Sequence, residues 1–256
     1  MSSPLGFLTG ATYPFRALNV LRRSPQLWSY VLLPILLNLV LGGGLYFLLL
    51  RRGLQGITQL IAQLPEWALF LGWLLQGLLI LGLLIFIGFV LLQFGVILGS
   101  PWYGKLSEEL EQQRTGKPAA EIPGAVTSVV VDIWRSLLFE VKKLSLTVGV
   151  GLPLLLLNLF PGIGTAIATL GGLLLGATLV CLDFFDPALE RRRLKFRTKL
   201  RVIRRSLPAS ASFGLLCLGL VSVPLLNLLA IPVCITAGTL FFCDRILPQP
   251  WWRELS

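Results

Sequence analysis

Asn158-Leu159-Phe160-Pro161-Gly162-Ile163-Gly164 decides how this chain is read. The seven residues sit near the middle of a 39-residue run, 144–182, that carries no charged side chain. One straight helix of that length would rise about 58 Å at ~1.5 Å per residue, nearly twice a ~30 Å hydrocarbon core. The run is therefore not a single span. Pro161 has no backbone N–H and Gly162 accepts any φ, so the chain can reverse there. The stretch predicts a helical hairpin buried in a membrane, its tip at Pro161-Gly162 and its arms at about 144–160 and 163–182. Gly172-x-x-x-Gly176 predicts close packing of the two arms.

The rest of the composition agrees with a membrane setting. Charged residues are 13% of the chain, about half the share in soluble domains, and apolar residues are 55%. Further charge-free runs cover 24–50, 67–104 and 206–243. The net charge of +10 does not point to nucleic acid, because the cations flank the apolar runs as topology determinants do. The chain contains no His, which removes Ser-His and Cys-His nucleophile pairs and thiolate–imidazole zinc sites. Cys181, Cys217, Cys234 and Cys243 lie in or at the ends of apolar runs and read as small buried hydrophobes. Neither a phosphate-binding G-x-x-x-x-G-K-[ST] loop nor a G-x-S-x-G elbow occurs. The expectation is a protein that is not an enzyme and needs no metal or cofactor. The first 30 residues lack a compact apolar stretch before a small-residue site, so no cleavable signal peptide is expected.

Taken in order, residues 1–23 predict a short interfacial segment ending at Arg22-Arg23, and Ser24-Pro25 reads as a helix start. A first span follows at 27–50, with Pro34 and Asn38 inside it and Arg51-Arg52 at its end. A second span is expected at 68–98, stopped by Ser100-Pro101, with Gly95-x-x-x-Gly99 as a close-packing motif. Amphipathic helices are expected within 103–143, one carrying Val129, Ile133, Leu137, Leu138 and Val141 on a single face. Asp183 to Pro187 should end the hairpin, followed by a basic segment through 205. The run 206–243 repeats the pattern: Pro224-Leu225-Leu226-Asn227-Leu228 echoes the first hairpin and Pro232 echoes Pro161. Its second arm, 232–243, would rise only about 18 Å, which predicts a re-entrant hairpin. A tail, 244–256, closes a single polytopic domain. The fold class is all-α integral membrane, with two long transmembrane helices, two half-penetrating or penetrating helical hairpins, and amphipathic cytoplasmic helices. With two spans and two returning hairpins, 20 of the 22 Lys and Arg share one face and only Arg51 and Arg52 lie opposite. The positive-inside rule then places both termini in the cytoplasm of a bacterial inner membrane.

A helix broken inside a membrane leaves N–H groups unpaired at its new N-terminus, which favours an anion without any charged side chain. Gly162 and Gly164 would admit close approach to the backbone; Thr165, Asn38, Asn158 and Asn227 would add polar groups along a path. The same residues can equally serve only to close the bend. The cations near 191–205, with Arg201, Arg204 and Arg205 at their end, would form either a vestibule that concentrates anions or a surface docked on anionic lipid headgroups.

At these residues the chain resembles the CysZ-type sulfate permease family, within the wider etoposide-induced-protein membrane superfamily. The similarity runs from about 10 to 245. It rests on Leu33-Pro34-Ile35-Leu36-Leu37-Asn38, on Ser100-Pro101-Trp102-Tyr103-Gly104 with the acidic helix after it, on Phe160-Pro161-Gly162-Ile163-Gly164, on Cys181-Leu182-Asp183, and on Pro224 to Leu228. The resemblance implies uptake of sulfate or a related oxyanion for cysteine synthesis, and a homo-oligomer. It also leaves open a non-transporting membrane scaffold of the same superfamily. It implies a Pro-Gly-x-Arg-Arg anion site just before the first span, where this chain reads Pro25-Gln26-Leu27-Trp28-Ser29. Arg22, Arg23, Gln26, Trp28 and Ser29 are the candidate anion-binding residues at that place.

Overall fold

The computed structural model describes residues 4–62, 69–117, 129–223 and 226–255. Every regular element among them is helical. They are α1 (Pro4–Ala11), α2 (Tyr13–Arg23), α3 (Trp28–Ile61), α4 (Leu69–Thr115), α5 (Val129–Leu157), α6 (Ile163–Glu190), α7 (Phe196–Arg205), α8 (Ala209–Val221) and α9 (Leu226–Phe241). A 3-10 turn, Pro25–Leu27, joins α2 to α3, and π and 3-10 turns follow α9. Among the described residues four segments are long and apolar enough to cross a membrane: Pro25–Gln59, Phe70–Gly88, Ile163–Glu190 and Leu226–Ile246.

Several helices run further than the residue pattern suggests. α3 continues through Arg51 and Arg52 to Ile61. Leaving the hydrocarbon does not interrupt a backbone ladder, and Arg is a good helix former. α4 is one 47-residue helix with Pro101 inside it, so Ser100-Pro101 does not break the span from the helix beyond. A proline removes a single ladder bond. Tyr103, Leu106 and Leu110, all buried, hold the continuation against the core. α5 fuses the expected amphipathic helix with the first hairpin arm. Leu137 and Val141 of its expected apolar face are exposed, and the side chains of Val129 and Ile133 lie outside the described ones. α6 passes through Asp183 and Pro187 to Glu190. The basic segment contains a further helix, α7, whose Val202 and Ile203 are buried while its arginines face out. Pro232 lies inside α9 and is no counterpart of the turn proline Pro161. With its π-helical continuation, α9 forms a 21-residue segment, about 31 Å long, in place of the expected 12-residue arm.

The core gathers at one end of the bundle. Phe185 of α6, Phe213 of α8 and Phe241 of α9 stack with ring centroids 5.0–5.6 Å apart, and Tyr13 of α2 lies 5.0 Å from Phe241. The four cysteines are free and buried. α3 and α4 form an antiparallel pair, with Gly53 against Leu79 and Tyr46 beside Ile80.

The chain turns back between α5 and α6 at 158–162, where Gly162 adopts φ 87°. The glycines of the close contact differ from those expected. Gly171 admits Leu154 of α5, Gly176 faces Leu218 of α8, and Gly172 faces open space. α6 and α8 run antiparallel, with Cys181 donating to the Ser210 carbonyl and Gly176 opposite Leu218. That register sets the end of α8 level with about residue 170 of α6. The α5–α6 tip therefore projects roughly 10 Å beyond the end of α8. Pro224 and Leu225, between α8 and α9 in the sequence, lie outside the described residues.

Candidate anion path and basic cleft

The α2–α3 junction is built by local hydrogen bonds. Trp28 Nε1 donates to the Leu21 carbonyl at 3.0 Å, and Ser29 Oγ donates to the Gln26 carbonyl at 3.1 Å. The indole thus joins the Ser24 backbone N–H, 3.3 Å away, as a second donor to that carbonyl at the C-terminal end of α2. Arg22 and Arg23 occupy the same last turn, favourable for cations at a helix C-terminus, and both are exposed. Among the described residues neither takes part in an ion pair. Of the five candidates before the first span, the two arginines keep free charged donors; Trp28 and Ser29 are engaged with backbone.

The hairpin tip brings Asn158, Gly162, Gly164 and Thr165 together. Asn158 Nδ2 donates to the Leu155 carbonyl at 3.3 Å, and three backbone bonds of the tighter 3-10 type close the end of α5. Gly164 is buried directly over the Leu157 carbonyl, where any Cβ would collide. Asn158 and Gly164 therefore close the bend. Leu159, Phe160 and Ile163 are exposed around it, Ile163 at 80%, and give the tip an apolar rim. Asn227 sits elsewhere, 1% exposed at the start of α9, its Nδ2 donating to the Gly88 carbonyl of α4 at 3.0 Å. Its Oδ1 is buried and has no hydrogen-bond partner among the described residues. The Asn38 side chain lies outside the described ones.

A polar cavity of about 920 Å³ opens between the charged part of α5 and α7. Among the described residues seven cations line it, Arg135, Lys142, Arg193, Lys195, Arg197, Lys199 and Arg201, and Glu190 is the one carboxylate. Arg201 is the only one of the three predicted vestibule arginines in this lining. Arg205 instead pairs with Glu254 at 3.6 Å and lies over the Trp251 ring. Lys199, 1% exposed, is the buried floor of the cleft. It pairs with Asp186 and Glu190 and lies 4.5 Å from the Phe139 ring centroid. Arg135 takes the other oxygen of Glu190 at 2.7 Å. Beside it, Lys143 Nζ reaches Asp183 at 2.8 Å and Glu140 at 2.9 Å. Burial works against the Lys143 ammonium, but the two carboxylates outweigh it and hold its pKa above the ordinary lysine value.

Sequence reasoning missed Asp186 and Arg135, and counted Lys199 only as one of the cations of 191–205. One signal was present: Asp183, Asp186 and Glu190 fall at i, i+3 and i+7, one helical face, just ahead of a basic helix with apolar Val202 and Ile203.

The family described as Sulfate transporter CysZ/Etoposide-induced protein 2.4 matches residues 13–232. The chain belongs to this family. Three relatives named Sulfate transporter CysZ are similar along most of their length. That of Pectobacterium atrosepticum is 29% identical over 91% of this chain and 82% of its own. That of Salmonella typhimurium is 27% identical over 86% of each chain, and that of Vibrio cholerae 27% identical over 84% and 86%. The protein is an integral membrane protein of all-α fold. The CysZ/etoposide-induced match begins at the first residue of α2 and ends at Pro232 inside α9. It thus takes in the α2–α3 junction, the hairpin tip and the basic cleft.

A second charge cluster ties this family region to the end of the chain. Glu111 of α4, 3% exposed, accepts from Arg191 at 2.6 Å and from Arg192. Arg191 also donates to the Gly104 carbonyl, and Arg192 lies 4.5 Å from the Phe242 ring centroid. Burial of the pair makes Glu111 the clasp between α4, the end of α6 and the C-terminal turns.

Proposed function

We propose that this chain is a membrane permease for sulfate, or a closely related oxyanion, serving sulfur assimilation across a bacterial inner membrane. The observation that carries this is membership of the CysZ/etoposide-induced family together with relatives named Sulfate transporter CysZ across four fifths or more of both chains. The geometry supports it at the α2–α3 junction. Arg22 and Arg23 present two guanidiniums that form no ion pair among the described residues, beside the start of the first spanning helix, where bidentate donors suit an oxyanion. Trp28 and Ser29 set the angle of that junction and leave the arginines free. The role is passage, not catalysis. The 20 of 22 Lys and Arg that the two-span, two-hairpin topology puts on one face support a cytoplasmic location for both termini.

The test is radiolabelled sulfate flux into proteoliposomes of the purified protein, with Arg22→Ala/Arg23→Ala alongside. Flux is expected above empty vesicles, with a large loss in the double variant. No flux for sulfate or for several other oxyanions would remove the permease reading and leave a membrane scaffold.

A further inference from the structure

We propose that the cleft between α5 and α7 is a binding site for the headgroup of an anionic phospholipid. Four of its cations, Lys142, Lys195, Arg197 and Arg201, are exposed and form no ion pair among the described residues. Glu190, the one carboxylate among the described lining residues, is already bridged by Arg135 and Lys199. A positive surplus therefore faces the cavity, and a ligand that enters it must be negative.

Position and shape narrow the class of anion. Ser145 and Leu146 of the lining belong to the charge-free run, whereas Arg135 lies ten residues upstream, about 15 Å along α5. The headgroup layer on one side of a bilayer is roughly 5–8 Å deep. The cleft thus crosses the level at which lipid phosphates lie. One wall is apolar, with Leu138, Phe139, Leu146 and Leu194. A small free oxyanion is held by donors that converge on one point; here the cations are spread around about 920 Å³, near the upper end of ordinary ligand pockets. A phosphodiester carrying glycerol and acyl chains fits both the spread charge and the apolar wall. Basic pockets of this kind, at the cytoplasmic ends of membrane helices, suit headgroups with more than one phosphate. The proposal does not depend on what the protein transports.

The probe is diphosphatidylglycerol, offered to the purified full chain in equimolar competition with phosphatidylglycerol and phosphatidylcholine and read by native mass spectrometry. The wild type should retain diphosphatidylglycerol in preference to phosphatidylcholine. Lys142→Gln/Arg197→Gln/Arg201→Gln should weaken that retention about 100-fold at low salt, since each cation near an anionic lipid counts for somewhat under a factor of ten. Arg22→Gln/Arg23→Gln, outside the cleft, should leave retention unchanged. Equal retention of all three lipids, or an unaltered triple variant, overturns the proposal. Displacement of the lipid by millimolar inorganic phosphate also overturns it, in favour of a free-oxyanion site. If the triple variant elutes as aggregate, Arg201→Gln alone gives the same test with a smaller loss, and no loss there overturns the proposal. Sulfate flux measured in phosphatidylcholine vesicles separates this result from the permease reading.

Discussion

Replacing Glu111 with Ala tests whether the buried clasp holds the charged end of the bundle together. The carboxylate is 3% exposed and receives both Arg191 and Arg192. Its removal leaves two guanidiniums with little access to water and no anion; the side chain of Arg192 is only 9% exposed. Breaking a buried pair by deleting one partner costs about 3–5 kcal/mol, because the remaining charge is stranded. The stacking of Arg192 on Phe242 recovers part of that and favours the lower figure. For a chain of this size each kcal/mol moves the melting temperature by ~2–4 °C, so a fall of roughly 6–12 °C is expected. Arg114→Ala is the internal control. Arg114 pairs with Asp244 at 3.0 Å, yet its side chain is 54% exposed, so the loss should stay below about 1 kcal/mol. The assay is the apparent melting temperature in detergent, by size-exclusion after heating, at one scan rate because membrane proteins often unfold irreversibly. A Glu111→Ala shift no larger than that of Arg114→Ala would refute the clasp.

Three further outcomes are expected. Gly164→Ala should destabilise the hairpin by about 1–3 kcal/mol through collision with the Leu157 carbonyl, whereas Gly172→Ala, facing open space, should be nearly silent in the same melting assay. Trp28→Phe removes the indole bond to the Leu21 carbonyl but leaves the Ser24 N–H on it, so it should cost no more than ~1 kcal/mol, with sulfate flux reduced far less than in Arg22→Ala/Arg23→Ala. A Cys placed at Lys195 should resist membrane-impermeant labelling of intact cells while one at Arg51 reacts; the reverse pattern would invert the proposed orientation.

The helical class, the apolar runs and the reversal at Pro161-Gly162 were legible because each depends on local composition. Helix ends were not. Pro101, Pro153, Pro187 and Pro232 all lie within helices, since a proline costs one hydrogen bond and neighbouring packing restores the path. Charge boundaries at Arg51, Lys143 and Asp183 mark a change of solvent, not of backbone. The vestibule was only partly legible: the sequence supplied the cations, but Arg201 and Arg205 point to different surfaces. The Glu111 clasp joins residues about 80 positions apart, and no periodicity reports such a contact.

The uncharged hairpin tip also bears on how the protein enters its membrane. Moving a charged residue through the bilayer centre costs about 2.5–3.5 kcal/mol on insertion scales. From Asn158 to Gly164 no charge has to make that passage, and the bend is closed by its own backbone and amide bonds. In the proposed orientation the charges carried to the far side are those of Arg51 and Arg52, in the last third of α3, and of Glu66, between α3 and α4 in the sequence. That first helical pair alone needs the insertion machinery to translocate charge. The later hairpins can be released sideways into lipid as folded units, which places the committed step of biogenesis in the first third of the chain.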